Sequence, residues 1–322
     1  EALYRRVLEC DPGHADALNG LGILCKQNGD KKTALDLVGK AVEMRPEAVD
    51  FLTNLGIIHQ SCGNGEEAIA CFRRALEQVP DFTMAYLALA NALEDRGQQE
   101  EAISCLKTLV SVAPNFPQGQ FNLGFAIKGT NQGQEAEAAL KRGLALIPDY
   151  AEAWNVLGEI QRDRGESATA LSSFRRALEL KSDLSAAHMN FATLLRDMGR
   201  LMDAEAAFSQ ALQSNPNDAS LHNSLGVLLM LEGRMTESGA ACGRALEIAP
   251  DYGVARSNLL LSLNYGTQDT AAVFAAHLEY EAVHGVPTDT VAASAIHSND
   301  RDLKRRLRIG YMSSDLRCHS VS

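Results

Sequence analysis

The chain is poor in aromatics, which make up 6% of its 322 residues and include one Trp. It has no apolar run near the ~18 residues that a membrane-spanning helix needs, so nothing in it reads as a membrane span. Its seven Cys contain no Cys-x-x-Cys pair, and no two His stand at metal-ligand spacing on one helix face. That excludes the common zinc frameworks, and an odd number of thiols in helical patterns argues for reduced core or groove residues. Reduced thiols fit a cytoplasmic protein. No Gly-rich phosphate loop and no nucleophile–base set is visible, so no complete enzyme lies within the chain. Basic residues are outnumbered 30 to 41, a net charge of −11, which excludes a general nucleic-acid binder. With 46% hydrophobic and 22% charged residues the sequence is too apolar for wholesale disorder.

The charge is uneven. Residues 253–322 hold seven basic and seven acidic side chains and four of the eight His, so the whole excess of acid lies before residue 253. A boundary is expected there.

What the sequence does have is a period. Pro recurs at 12, 46, 80, 114, 148, 216 and 250, in steps of 34 residues or twice that where Ser182 stands in its place. Ala34, Ala68, Ala102, Ala136, Ala170 and Ala204 follow the same step, with Ser238 next. Gly22, Gly56, Ala90, Gly124, Gly158, Ala192 and Gly226 form a second small series, and Ala41, Ala75, Leu109, Gly143, Ala177, Ala211 and Ala245 a third. Such self-similarity marks a repeat architecture. Units beginning at Ala15, Val49, Thr83, Pro117, Ala151, Ser185 and Ala219 read as helix–turn–helix. Position 15 of each unit is Gly29, Gly63, Gly97, Asn131, Gly165, Gly199 or Gly233, the residue types that enter the left-handed region cheaply and end a helix. The Pro at position 32 closes the second helix. The small residues let two helices approach, and large ones such as Leu157 and Phe174 fill the space beside them.

This pattern resembles the tetratricopeptide repeat. The resemblance implies an all-α, right-handed tetratricopeptide-repeat superhelical solenoid, with seven repeats over residues 15–252. Residues 1–14 read as the second helix of a truncated repeat, with Tyr4 in the large slot and Pro12 as terminator. Its uncovered apolar side is expected to support a homo-oligomer by end-to-end pairing. Stacked repeats bury a continuous core only through their neighbours. In such folds the first helices line a concave groove for protein or extended-peptide partners. Position 6 should face that groove, and it carries Asn54, Asn122, Asn190 and Asn258 in alternate repeats. An amide both donates and accepts, so a row of them can hold an extended backbone without reading its side chains. Replacing Asn122 and Asn190 with Ala is expected to weaken capture and leave the fold intact. The cations of a carboxylate clamp are absent from positions 5 and 9. The acidic first-helix ends Glu94, Asp95, Asp163 and Asp197 favour a neutral or basic partner, or else form a solvated face. His188 and His222 occupy position 4, where Trp154 stands in its own repeat, and read as packing substitutes.

Residues 253–300 read as one more first helix, a linker helix over 269–284 capped by Asp269, and a linker. A basic run, Arg301, Lys304, Arg305, Arg306 and Arg308, leads into LRIGYMSSD at 307–315. The alternation of Leu307, Ile309 and Tyr311 reads as a short strand entering a polar loop. A strand needs partners, so residues 301–322 read as the beginning of a truncated α/β domain.

The string RLRIGYMSSDLRCHSVS is similar to the first strand and loop of the catalytic domain in the protein O-N-acetylglucosaminyltransferase and SPINDLY family. Members of that family join a tetratricopeptide arm through a short helical linker to a nucleotide-sugar transferase. The resemblance implies a substrate-binding arm of a protein O-glycosyltransferase that acts on Ser or Thr of proteins. UDP-N-acetylglucosamine or GDP-fucose would be the donor, with no cofactor in this chain. His319 matches the cleft-facing catalytic His, a residue suited to moving a proton near neutral pH. Lacking most of that domain, the chain alone is expected to bind and not to turn over. The alternative is a non-enzymatic tetratricopeptide scaffold for protein–protein interaction.

Overall fold

The computed structural model describes residues 1–267 and 269–284. The chain divides into two units, 1–266 and 267–322. The first opens with α1 (Ala2–Cys10). Seven pairs follow: α2 (Ala15–Gln27) with α3 (Lys31–Met44), α4 (Val49–Ser61) with α5 (Gly65–Gln78), α6 (Thr83–Asp95) with α7 (Gln99–Val112), α8 (Pro117–Ile127) with α9 (Gly133–Leu146), α10 (Ala151–Asp163) with α11 (Ser167–Leu180), α12 (Ser185–Asp197) with α13 (Leu201–Ser214), and α14 (Ala219–Leu231) with α15 (Met235–Ile248). The unpaired first helix α16 (Gly253–Gly266) closes the unit. Every first helix of the seven pairs starts at the residue where the period places a new repeat. No strand occurs among the described residues. The expected strand at 307–311, the beginning of the α/β domain at 301–322 and His319 lie outside them.

Each first helix packs on its own second helix, and each second helix packs on the next first helix. Successive first helices also touch, as in α2 with α4 and α12 with α14. The core is therefore a seam running along the unit. Val38, Phe72, Leu106, Leu140, Phe174, Phe208 and Cys242 share one register position of the second helices, and each is fully buried. The small series makes room for them: a Cβ on Gly158 would stand 2.6 Å from the Phe174 ring. Leu109 is the large exception in a small series. A Cβ on Gly119 would stand 3.0 Å from its Cδ2, so a missing side chain across the repeat boundary accommodates it.

Six of the seven predicted turns form as the sequence implies. Gly165, for example, has φ +79°, and Gly165 N–H donates to Arg162 O and Glu166 N–H to Gln161 O, both at 2.8 Å. Asn131 departs from that expectation, because no residue other than Gly has a positive φ among the described residues. Here α8 stops at Ile127, and the Thr130 hydroxyl donates to Ile127 O at 2.8 Å and accepts from Gln132 N–H at 3.2 Å. A Thr side chain completes the turn that a left-handed residue completes elsewhere.

Between repeats a second device recurs. The position-4 side chain donates to the carbonyl six residues back, at the Pro or its substitute. Tyr86 reaches Pro80 O at 3.1 Å, Gln120 Pro114 O at 2.9 Å, and Trp154 Pro148 O at 2.8 Å. His188 Nε2 reaches Ser182 O at 2.8 Å, His222 Nε2 Pro216 O at 3.0 Å, and Arg256 Pro250 O at 2.7 Å. The two His are thus structural, as their shared position with Trp154 implies.

In the second unit α17 (Thr270–His284) starts where Asp269 accepts from Ala271 and Ala272 N–H at 3.0 and 3.1 Å. That is the N-cap expected from the sequence.

Candidate groove on the first-helix face

The four position-6 amides are all half-buried, but they do not share one environment. Asn54 Nδ2 donates to Asn19 Oδ1 at 3.1 Å, Asn190 Nδ2 to Asn155 Oδ1 at 3.0 Å, and Asn258 Nδ2 to Asn223 Oδ1 at 2.9 Å. Each bond joins position 6 of one first helix to position 5 of the preceding one, 35 residues back. Three of the four amides are therefore rungs between neighbouring helices. Asn190 is held further: its Nδ2 also reaches Glu159 Oε1 at 3.0 Å, and its Oδ1 accepts from Arg162 Nη1 at 3.2 Å.

Asn122 is different. Position 5 of the preceding repeat is Leu87, whose side chain cannot accept, and among the described residues the Asn122 side chain has no hydrogen-bond partner. It lies between two clefts. One, of about 300 Å³, is lined by Asn91, Glu94, Gln99, Asn122, Phe125 and Ala126. The other, of about 270 Å³, is lined by Gln118, Phe121, Asn122, Ile147, Asp149 and Tyr150. The rings around them form one cluster: Phe121 meets Tyr150 edge-on at 4.7 Å between centroids, and Phe125 stacks on Phe121 at 6.5 Å. An open amide flanked by partly apolar hollows is suited to gripping a backbone and its neighbouring side chains.

Three cations at position 12 of this face are paired within the protein. Lys128 Nζ is 2.6 Å from Glu159, Arg162 lies 3.1 Å from Asp163, and Arg196 lies 2.9 Å from Asp197. Those three are therefore engaged internally rather than open to a partner's carboxylates. Position 6 of the first repeat is Gly20 because a Cβ there would fall 2.7 Å from the Tyr4 ring. His59 Nδ1 faces Asn64 Nδ2 at 3.4 Å, an internal contact at the helix end. Among the described residues no cluster of His, Cys, Asp and Glu could hold a metal, and no helix is long and apolar enough to cross a membrane.

Sequence reasoning singled out Asn54, Asn122, Asn190 and Asn258 but not their partners Asn19, Asn155 and Asn223. The signal was present, since each partner stands 35 residues before the amide that it holds.

The family model described as the cilia and flagella-associated protein 70 C-terminal domain matches residues 14–258. No curated protein matches the chain. Among solved structures, a chain of the APC/C hetero-tetramer Cut9–Hcn1 superposes with a TM-score of 0.56 at 22% identity, over 81% of this chain and 52% of that one. The present chain thus spans about half of that relative. A tetratricopeptide repeat protein from Parabacteroides merdae ATCC 43184 gives 0.58 at 18% identity, over 78% of this chain and 99% of that one. MamA gives 0.50 at 24% identity, over 54% and 96%. At such identities these likenesses establish the fold.

Proposed function

The chain belongs to the tetratricopeptide family of the cilia and flagella-associated protein 70 C-terminal domain, and we propose that it is a protein–protein interaction scaffold whose first-helix face captures an extended polypeptide segment. The observation that carries this is Asn122, an unpartnered amide between two clefts on a face where the other position-6 amides already hold neighbouring helices. One amide can accept from a partner's N–H and donate to its C=O. The test is selection of a displayed random-peptide library on the full chain. Selected peptides should protect amides of α6, α8 and α10 from hydrogen exchange and bind Asn122→Ala about tenfold more weakly, the worth of a lost hydrogen-bonded pair in a partly dry site. Peptides that protect only the second helices, or that ignore Asn122→Ala, would refute the reading.

A second reading rests on RLRIGYMSSDLRCHSVS, residues 306–322. In it the repeats are the substrate arm of a protein O-glycosyltransferase, UDP-N-acetylglucosamine or GDP-fucose is the donor substrate, and His319 moves the acceptor proton. The seven repeats present the acceptor protein in this reading also. Its test is sugar transfer from each labelled donor to Ser or Thr of bound proteins by the whole parent protein. Transfer abolished by His319→Ala supports it, and absence of transfer from both donors removes it.

A further inference from the structure

The cleft between α6, α7 and α8 is lined by one carboxylate, three amides and the apolar Phe125 and Ala126. It offers the Glu94 carboxylate and the side-chain oxygens of Asn91 and Asn122. Gln99 has its Nε2 engaged by Ala126 O at 3.0 Å, which leaves its Oε1 open. No Lys or Arg lines the cleft, although cations stand on either side. Arg96 is drawn away to Glu66 at 2.9 Å, Lys128 to Glu159 at 2.6 Å, and Lys107 to Glu135 at 2.8 Å.

The same register in other repeats shows what is missing. Positions 12 and 13 of α10 and α12 hold Arg162 with Asp163 and Arg196 with Asp197, each a compensated pair. In α6 those positions hold Glu94 and Asp95. Asp95 accepts only an amide, from Gln60 Nε2 at 2.6 Å. Among the described residues neither carboxylate has a cation within ion-pair distance. Partial desolvation, and then the charge of Asp95, push the Glu94 carboxyl above its ordinary range, as befits an anion without a counter-charge. The Phe125 ring forms one wall, and its stacking on Phe121 and its 6.2 Å approach to Tyr150 hold it in place.

We propose that this cleft is a recognition pocket for an arginine side chain on the extended segment that the groove captures; the proposal rests on the peptide-binding reading above. A guanidinium is planar, carries five donors for the carboxylate and amide oxygens, and stacks on an aromatic face. A compact, strongly hydrated ammonium fits such a wall less well. A cleft of about 300 Å³ suits one long side chain, at the small end of ligand sites.

The probe is N-acetyl-arginine methylamide, titrated into the full chain labelled with nitrogen-15. The neutral isostere N-acetyl-citrulline methylamide is the control. Arginine should shift the side-chain amide signals of Asn91 and Asn122. The citrulline compound, and arginine with Glu94→Gln, should bind about tenfold more weakly, because a charge-assisted bond is replaced by neutral ones. Equal shifts from both compounds, or shifts confined to other helices, would overturn the proposal. The two readings separate in the peptide selection. Selected peptides that need Asn122 but show no arginine preference leave the groove standing and remove the pocket. Peptides whose arginine is required, and whose binding Glu94→Gln weakens about tenfold, support it.

Discussion

Asn122 and Asn190 occupy the same position of the repeat, so replacing each with Ala separates a recognition role from a structural one. The Asn190 side chain makes three hydrogen bonds, to Asn155 and Glu159 through Nδ2 and from Arg162 to Oδ1. A neutral bond contributes about 0.5–1.5 kcal/mol and one to a charged group about 1.5–3. The sum overstates the loss. Glu159 keeps Lys128 and Asn155, and Arg162 keeps Asp163. All of these groups save the buried Asn155 are also within reach of water. We expect Asn190→Ala to cost about 1–2 kcal/mol, a factor of roughly 5–30 in local opening. A solenoid need not unfold in one step, so a single melting temperature is the wrong measurement. Hydrogen exchange resolved by helix is the right one. Protection should fall in α10 and α12 and stay unchanged in α2 and α4. Asn122→Ala breaks no bond and should remain within about 0.5 kcal/mol of the parent everywhere. If Asn190→Ala leaves protection in α10 and α12 untouched, or Asn122→Ala lowers it as much, the division between rung and open amide is wrong.

Gly158→Ala places a Cβ 2.6 Å from a fully buried Phe174 ring, and overpacking of this kind should cost about 1–3 kcal/mol, read as lost hydrogen-exchange protection in α10 and α11. The thiols should react in order of exposure: Cys10 is exposed, whereas burial pushes Cys105 up to about 12 and Cys242 up to about 11. Mass-spectrometric mapping after a short alkylation should find Cys10 modified and those two untouched until the chain unfolds. Glu137 gives the acid dependence. A hydrogen bond from Lys141, with Arg164 also near, holds its carboxyl below the ordinary 4.5. Its contribution is therefore present above 4.5 and lost as pH falls through the lowered folded value. Glu137→Gln should be less stable than the parent at neutral pH, and the gap should narrow toward acid. A gap that widens toward acid would contradict the assignment.

The helix pairs were legible because the constraints that make them repeat every 34 residues. A residue in the left-handed region, a Pro that cannot continue a helix and a small residue facing a large one each leave a mark in one chain position. The turn at 128–132 escaped because Asn131 mimics the sequence mark and Thr130 supplies the bond. The donors to the inter-repeat carbonyl escaped for a different reason. Tyr86, Gln120, Trp154, His188, His222 and Arg256 share no size or shape. They share a polar hydrogen about one side-chain length from the backbone, a property that a search for large and small residues does not register.

The groove was half legible for a physical reason that also says where its specificity lies. Identity of position across repeats fixes where a side chain points, but its availability depends on what stands 28–35 residues away on the adjacent helix. Asn54, Asn190 and Asn258 have an Asn at that place, so they brace the stack. Asn122 has Leu87, and Glu94 has no cation. In a structure built by repetition, compensated positions serve the repeat and recur. Two uncompensated ones meet in the stretch α6 to α8, where an amide and a carboxylate without partners among the described residues face one cleft. A free amide alone could be an accident of sequence drift. A free amide and a free carboxylate together offer charge and hydrogen bonds that an external, cationic donor completes better than water does, and for that reason the arginine pocket, rather than the full row of Asn, is where recognition by this chain should be sought.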